Sequence, residues 1–597
     1  MKLYEYDALV IGTGAAGYGA ADSLYRKGVK NIAVLTEGRL CGTSRNTGSD
    51  KQTYYKLSLD GFAADCPGAM AQSIFDGGGT DGDKAYAMAQ YSLPAFLRLV
   101  DYGVPFPKNA VGGFPGYRTD HDDTRRATSV GPLTSRLMTE RLEDKVLNIN
   151  KTPVFDGRLV IKIVSDGDGV CGALALNTGT NDLEAFSAPC VIAAAGAPAC
   201  IFADSVYPRS QHGMTGVLLD AGVRLNNFSQ WQFGLASTDF RWNLSGSFMQ
   251  VIPRFVSVGE NGTEREFLND VFPDSAERFT NIFLKGYQWP FAAARRDGSS
   301  KIDLAVHEER TQGRRVFLDF TKDPAGFDPA LLSDEAREYL AGRGVTGKTP
   351  FDRLLALNAK AAAIYEDNGT ELSREYLPVA VCAQHCNGGV ETDVHGETNL
   401  PGLFVIGEAA GNFGLARPGG SALNDTQTGG LLTAERIAER KRERPSPAAL
   451  ERALKSERET LASFTADAAS AYDDIPRKIS LCAGFLREKE GCAKLLGEIG
   501  AHLAEYAPRH RSIASYYRDL DMLRAAKAYL ETVLAEMPVT GSRGGALWEE
   551  NGVTVPEKPE YRSCRTVTEN GNIRFVPVKP IPTDDRPFEY FLNRLKL

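Results

Sequence analysis

The chain reads as an α/β protein: a parallel-sheet domain interrupted by an α+β capping domain and followed by a C-terminal helical domain. Three observations carry that reading. A strand, a glycine turn, a helix and a second strand fill the first 35 residues. Short apolar runs of the buried parallel kind return much later, at Cys190–Gly196 and Gly402–Gly407, so a large segment is inserted between them. Beyond residue 441 the apolar period turns helical and glycine becomes scarce.

In order, Asp7–Ile11 is an apolar strand and Gly12-Thr13-Gly14-Ala15-Ala16-Gly17 follows it. Ala20 to Lys27 carries a helical stripe closed by Gly28, and Ile32–Leu35 is the second strand. In a GxGxxG turn placed this way, Gly12 permits the tight turn and Gly14 lets a pyrophosphate approach the backbone. Gly17 lets helix and strand pack closely. Ala15 and Ala16 open a helix whose free amides and positive dipole end suit phosphates. This is a Rossmann-like, dinucleotide-binding start. The second strand ends at Thr36-Glu37, where an acid normally bonds the ribose. Glu37 is the candidate, with Thr36 the alternative if the register slips by one.

The segmentation that follows assigns 1–225 to the first part of the nucleotide domain and 226–377 to a capping, substrate-binding insertion. The insertion is rich in aromatics: Trp231, Phe233, Phe240, Trp242, Phe248 and Phe255. Residues 378–440 return to the nucleotide domain. Residues 441–545 form the helical domain, with helices such as Pro447–Leu461 and Tyr516–Glu536, and 546–597 an extended tail.

Composition removes several classes of function. At 43% hydrophobic and 24% charged residues, the 597-residue chain has the balance of a soluble globular protein of several domains. A net charge of -8 gives no basic face for nucleic acid. The run Arg440-Lys441-Arg442 lies among glutamates and reads as a solvated helix face. No stretch approaches the roughly 18 apolar residues of a membrane helix, and the first residues show no signal-peptide pattern. A cytoplasmic protein without direct membrane insertion is expected. The ten cysteines are scattered, and Cys382 and Cys386 alone do not make a metal or iron–sulfur site.

The second half points to FAD. The strand Gly402–Gly407 ends in Gly407-Glu408, and Arg417-Pro418-Gly419-Gly420-Ser421 turns into a helix from Ala422. A second nucleotide-facing strand so late in the chain suits the extended FAD molecule. A helix N-terminus there favours the negative charge of a reduced flavin. No second GxGxxG offers itself to a nicotinamide nucleotide, so electrons are expected from an iron–sulfur or other donor protein, or from a carrier.

These residues resemble the flavoprotein subunit of the succinate dehydrogenase/fumarate reductase family, which includes L-aspartate oxidase. Val191–Gly196 is similar to that family's strand ending Ala-Thr-Gly-Gly. Pro378–Gly389 is similar to its segment ending His-Tyr-x-Met-Gly-Gly. Pro401–Ala410 matches Pro-Gly-Leu-Tyr-Ala-x-Gly-Glu-Ala-Ala, and Arg417–Asp425 keeps the register of Arg-Leu-Gly-x-Asn-Ser-Leu-x-Asp. The helices after 441 and the Ser542-Arg543-Gly544 turn also match. The resemblance implies that Glu408 bonds the ribose or ribityl region, with Ala195 and Gly196 beside it. It implies that Gly420, Ser421, Ala422 and Leu423 meet the flavin ring, and that Arg417 holds a substrate carboxylate.

Departures from the family matter equally. Its flavin-linked histidine falls in the stretch Gly42–Asp50, which contains Thr43, Ser44 and Gly48 but no histidine; the first histidine is His121. FAD is therefore expected to be non-covalent. The family's Phe-His-Pro-Thr is here Phe233-Gly234-Leu235-Ala236, and Gln384 stands in place of a second histidine, beside His385. The family's catalytic arginine falls in Gly298–Asp303, where Lys301 is the nearest basic residue; Arg254 is a further anion contact to consider. The expected activity is reduction of an activated C=C bond by hydride from flavin N5. The substrate is an α,β-unsaturated carboxylate other than fumarate, with Lys301 or His385 giving the proton. The rivals are the reverse dehydrogenase or oxidase reaction, and an electron-transfer subunit of an iron–sulfur complex.

Overall fold

The computed structural model describes residues 2–59, 64–119, 122–440, 442–467 and 472–583. His121, Lys441 and the tail from 584 onward lie outside the described residues. In chain order, the elements that build the site are β1 (Ala8–Ile11), α1 (Ala15–Arg26), β2 (Ile32–Leu35), β3 (Val154–Phe155), β4 (Val191–Ala193), β5 (Trp231–Ser237), β6 (Leu377–Cys386), β7 (Leu403–Val405), α2 (Ser421–Glu439) and α3 (Ile513–Thr540).

Five strands form one parallel sheet in the order β7-β4-β1-β2-β3. Every residue of β1, β2, β4 and β7 is buried, because both faces of the sheet are covered. Val10, Val34, Ile192 and Phe404 face a core shared with Ala20 and Leu24 of α1 and Ala434 and Ile437 of α2. Leu9, Leu35, Val191 and Val405 point to the other side, into a core with Phe186, Ala173 and Val170 of a second, mixed sheet. Full burial of one such leucine or isoleucine stabilises the fold by ~1.5–3 kcal/mol.

Within and just beyond residues 226–377, β5 pairs antiparallel with β6, and β6 with Arg315–Asp319. The border expected at residue 378 cuts through β6. That strand is almost wholly buried, so in sequence it looks like one more parallel-sheet strand. The segment after 546 is also more than an extended tail. Cys564–Glu569 pairs with Leu225–Asn226 and with Asn572–Pro577, turned at Asn570-Gly571, where φ is 48° and 77°. An Asn-Gly pair at positive φ is the preferred two-residue hairpin turn. Among the described residues no helix is long and apolar enough to cross a membrane.

Candidate active site

The carboxyl ends of β1, β2, β4 and β7 open on a groove of about 320 Å³. Ligands of open parallel sheets sit at such ends. Gly12, Gly14 and Ala16 line it from the first turn, Thr36 and Glu37 from β2, Ala195 and Gly196 from β4, and Glu408, Ala422 and Leu423 from the second half. Thr43 and Ser44 close one side.

The glycines are required by close approach. Gly12 has φ 111°, and a Cβ there would lie 2.4 Å from the Ala194 carbonyl oxygen. A Cβ at Gly17 would lie 2.0 Å from the Gly12 oxygen. Gly14 caps α1 with no side chain, and the nearest atom to a Cβ there is Ser44 Oγ at 3.0 Å. Ser44 Oγ also accepts the Ala15 N–H at 3.0 Å. Thr36 and Thr13 hydroxyls bond each other at 3.0 Å, while the Glu37 carboxylate pairs with Arg518 of α3. Thr43 Oγ1 donates to Gln211 Oε1 at 2.7 Å.

Glu408 is partly buried and accepts from the Tyr207 hydroxyl and, at 2.9 Å, from the Cys386 N–H. Burial raises its pKa from 4.5 to about 7. Gly420 has φ 88° and caps α2, again with no side chain; a Cβ there would strike Thr53. Ser421 is buried and its Oγ donates to the Pro418 carbonyl at 2.7 Å, so it ties the turn and lines neither cavity.

A second cavity, of about 1170 Å³, lies between this turn and the insertion. It shares Thr47, Gln52, Gln384, Ala422 and Leu423 with the groove, so the two spaces meet. Gly48 lines it, pressed against Trp242. Arg417 lines it too, buried to 6% exposure, with Nε 3.3 Å from His385 Nδ1 and the guanidinium 5.5 Å from the Phe413 ring. Burial first, and the Arg417 charge second, hold the His385 pKa well below 6.5, so its imidazole is neutral. Gln384 is locked: Nε2 donates to the Leu235 carbonyl and Oε1 accepts from Asn243 Nδ2, both at 3.0 Å.

Two of the basic residues singled out above are not brought to either cavity. Lys301 opens a helix; its Nζ donates to the Val271 carbonyl at 2.9 Å and lies 5.0 Å from the Phe272 ring centre. Arg254 is taken up by Glu264, Glu266 at 2.6 Å and Asp319 at 2.9 Å. Conversely, the cavity gathers Tyr117, Asn243, Trp289 and Tyr339, which sequence reasoning did not single out. The aromatic content of the insertion was the available signal. Tyr117 hydroxyl bonds Thr53 Oγ1 at 2.7 Å, next to the Gly420 turn.

A groove with two uncapped helix starts and glycines at both suits a long dinucleotide whose phosphates need backbone donors. The model of the FAD binding domain family matches residues 7–423, from β1 through the Gly420 turn. The chain belongs to that FAD-binding family. It is similar to L-aspartate oxidase of Mycobacterium leprae, 25% identical over 95% of this chain and 97% of that one. It is similar to one of the subunits of the fumarate reductase (CoM/CoB) of Methanothermobacter marburgensis, 26% identical over 72% of each chain. Its fold matches the FrdA chain of E. coli quinol fumarate reductase with a TM-score of 0.73, at 18% identity and 98% coverage of both chains. Within the FAD-binding family, it is thus an FAD-dependent oxidoreductase of the fumarate reductase and aspartate oxidase type. Gly12, Gly14, Thr36, Ala195, Gly196 and Glu408 line the groove at the ends of the parallel strands.

Proposed function

We propose that this protein reduces an activated C=C bond beside a carboxylate, in a substrate bulkier than fumarate. The observation that carries the reading is Arg417, a buried guanidinium where the FAD groove meets a cavity of about 1170 Å³. The cavity must take the flavin ring at Gly420, Ala422 and Leu423 as well as the substrate, so it is the replacement of the family's clamp histidines by Gly234 and Gln384 that favours a bulkier substrate. Bound FAD supplies the hydride chemistry. Arg417 holds the carboxylate and stabilises the charge that builds on it. His385, neutral and hydrogen-bonded to Arg417, positions that guanidinium. The insertion 226–377 serves as the cap that excludes water.

FAD is held without a covalent bond, because Gly42–Asp50 carries no histidine. Denaturing the purified protein with acid should release the yellow flavin into the supernatant. A donor protein supplies the electrons. The decisive assay is anaerobic oxidation of reduced viologen with fumarate beside larger 2-enoates. Losing a desolvated guanidinium–carboxylate pair costs ~2–5 kcal/mol, so Arg417→Ala should lower kcat/KM by roughly 30- to 5,000-fold. Normal turnover in that variant would sink the reading. The likeness to L-aspartate oxidase over 95% of the chain favours a second reading, oxidation of an amino acid. Peroxide release from L-aspartate in air would support it.

A further inference from the structure

We propose that Arg209 and Arg241 form a binding site for a phosphoryl group, in a cavity apart from both the FAD groove and the substrate cavity.

This further cavity, of about 360 Å³, lies where the chain after β4, the insertion and the helical domain come together. It shares Tyr207, Gln211 and His212 with the FAD groove, so the two adjoin. Arg209 lines it from the segment after β4, Arg241 from the insertion, and Arg518 and Met522 from α3. Arg209 is exposed and Arg241 half-buried, so both are open to a ligand in the cavity.

The main chain brings the two guanidiniums close. Arg241 Nη1 donates to the Tyr207 carbonyl at 3.0 Å and Nη2 to the Ala203 carbonyl at 3.2 Å. These bonds seat its head against the turn that carries Arg209, two residues beyond Tyr207. The Arg241 pKa is lowered, by burial first and by the Arg209 charge second, as expected of like charges held near each other. An anion between them removes that repulsion.

The nearby carboxylates are engaged elsewhere. Asp204 is gripped by Arg310 at 2.8 and 3.1 Å. On the helical side Asp473 pairs with Arg511, Asp519 lies 3.4 Å from His510 Nδ1, and Arg518 pairs with Glu37. Among the described residues no carboxylate pairs with Arg209 or Arg241. Two of the five N–H donors of Arg241 go to carbonyls, which leaves three for a ligand. A planar guanidinium offers parallel donors that match two phosphate oxygens, and a dianion answers two cations. Phe202, Pro208, Tyr472 and Met522 add apolar surface, which is room for the body of a small phosphate ester. Free phosphate and such an ester present the same oxygens.

The test is calorimetric titration of the FAD-loaded protein with inorganic phosphate and with AMP, at an ionic strength held constant with chloride. FAD fills the groove, so binding heat reports the second site. Phosphate should bind saturably, with a dissociation constant of about 1 mM or tighter. AMP binding tighter by roughly tenfold assigns the site to an ester, and AMP binding no better assigns it to free phosphate; either result carries the site. Arg209→Ala should weaken phosphate binding roughly 10- to 100-fold. Arg241→Gln should abolish saturable binding, and its flavin content reports whether the fold survives loss of the two carbonyl bonds. Arg209→Ala removes an exposed side chain and leaves those bonds intact, so it keeps the test decisive. If neither compound saturates the wild-type protein, or if Arg209→Ala binds phosphate as the wild type does, the site is refuted.

Discussion

The close packing at the first turn makes a sharp prediction through Gly17→Ala. The backbone at Gly17 is ordinary helix, so alanine would normally improve it. Here the new Cβ would sit 2.0 Å from the Gly12 carbonyl oxygen and 2.8 Å from its carbon. Both are backbone atoms that cannot rotate away. To reach even 3.0 Å from that oxygen, the start of α1 must retreat by about 1 Å. Overpacking of this kind costs ~1–3 kcal/mol in stability. The same retreat withdraws the amides that meet the pyrophosphate. Each hydrogen bond to a charged group is worth ~1.5–3 kcal/mol, so one or two lost bonds weaken FAD binding by roughly 10- to 1,000-fold or more. The assay is reconstitution of the flavin-stripped protein with FAD, followed by quenching of flavin fluorescence. Gly28→Ala is the control, since Gly28 has φ 91° but nothing within 4 Å of a Cβ. That variant should lose ~1–2 kcal/mol of stability through backbone strain and keep its FAD affinity. Wild-type FAD affinity in Gly17→Ala would refute the close-approach argument.

Arg254→Met should leave Asp319, whose side chain is 0% exposed, buried without its partner, at a cost of ~3–5 kcal/mol. The urea midpoint should fall while kcat/KM of the folded fraction stays unchanged; a selective loss of kcat/KM would return Arg254 to the substrate site. Glu408 titrates in the opposite sense to a salt-bridged carboxylate. Its folded pKa of about 7 exceeds the unfolded 4.5. Its contribution is therefore fully present below pH 4.5 and is lost as pH rises to about 7. The shift amounts to something on the order of 3 kcal/mol. Urea unfolding of the flavin-stripped protein should show this decline, and Glu408→Gln should flatten it.

How much of this was legible in the sequence depends on whether a residue's partners are local. The turn after β1 was readable because its three glycines, the strand and the helix lie within about twenty residues and constrain one another. The Gly420 turn was readable for the same reason. β6 was not assigned to the insertion because a strand buried on both faces carries no alternation that tells one sheet from another. The Asn570-Gly571 hairpin carried a usable signal in its own two residues, yet the composition of the tail was given more weight than its turn chemistry.

The site separates along the same line, and the separation is electrostatic. Sequence identifies a basic residue but not its environment. Arg254 and Lys301 carry the charge that an anion site needs, yet local carboxylates or a carbonyl already satisfy them. Arg417 is buried against a neutral histidine and an aromatic ring, with its charge acting on the Glu408 and Asp425 carboxyls, but it differs from those two in lining the cavity. Folding has already taken most of the water from that guanidinium. A carboxylate arriving from the cavity therefore meets a positive charge that is already largely desolvated, in a setting where attraction is strong. His385 follows from the same field. Next to Arg417, and out of water, the proton that would make it an imidazolium is repelled, so the residue that looks in sequence like an acid is held as a neutral hydrogen-bonding support.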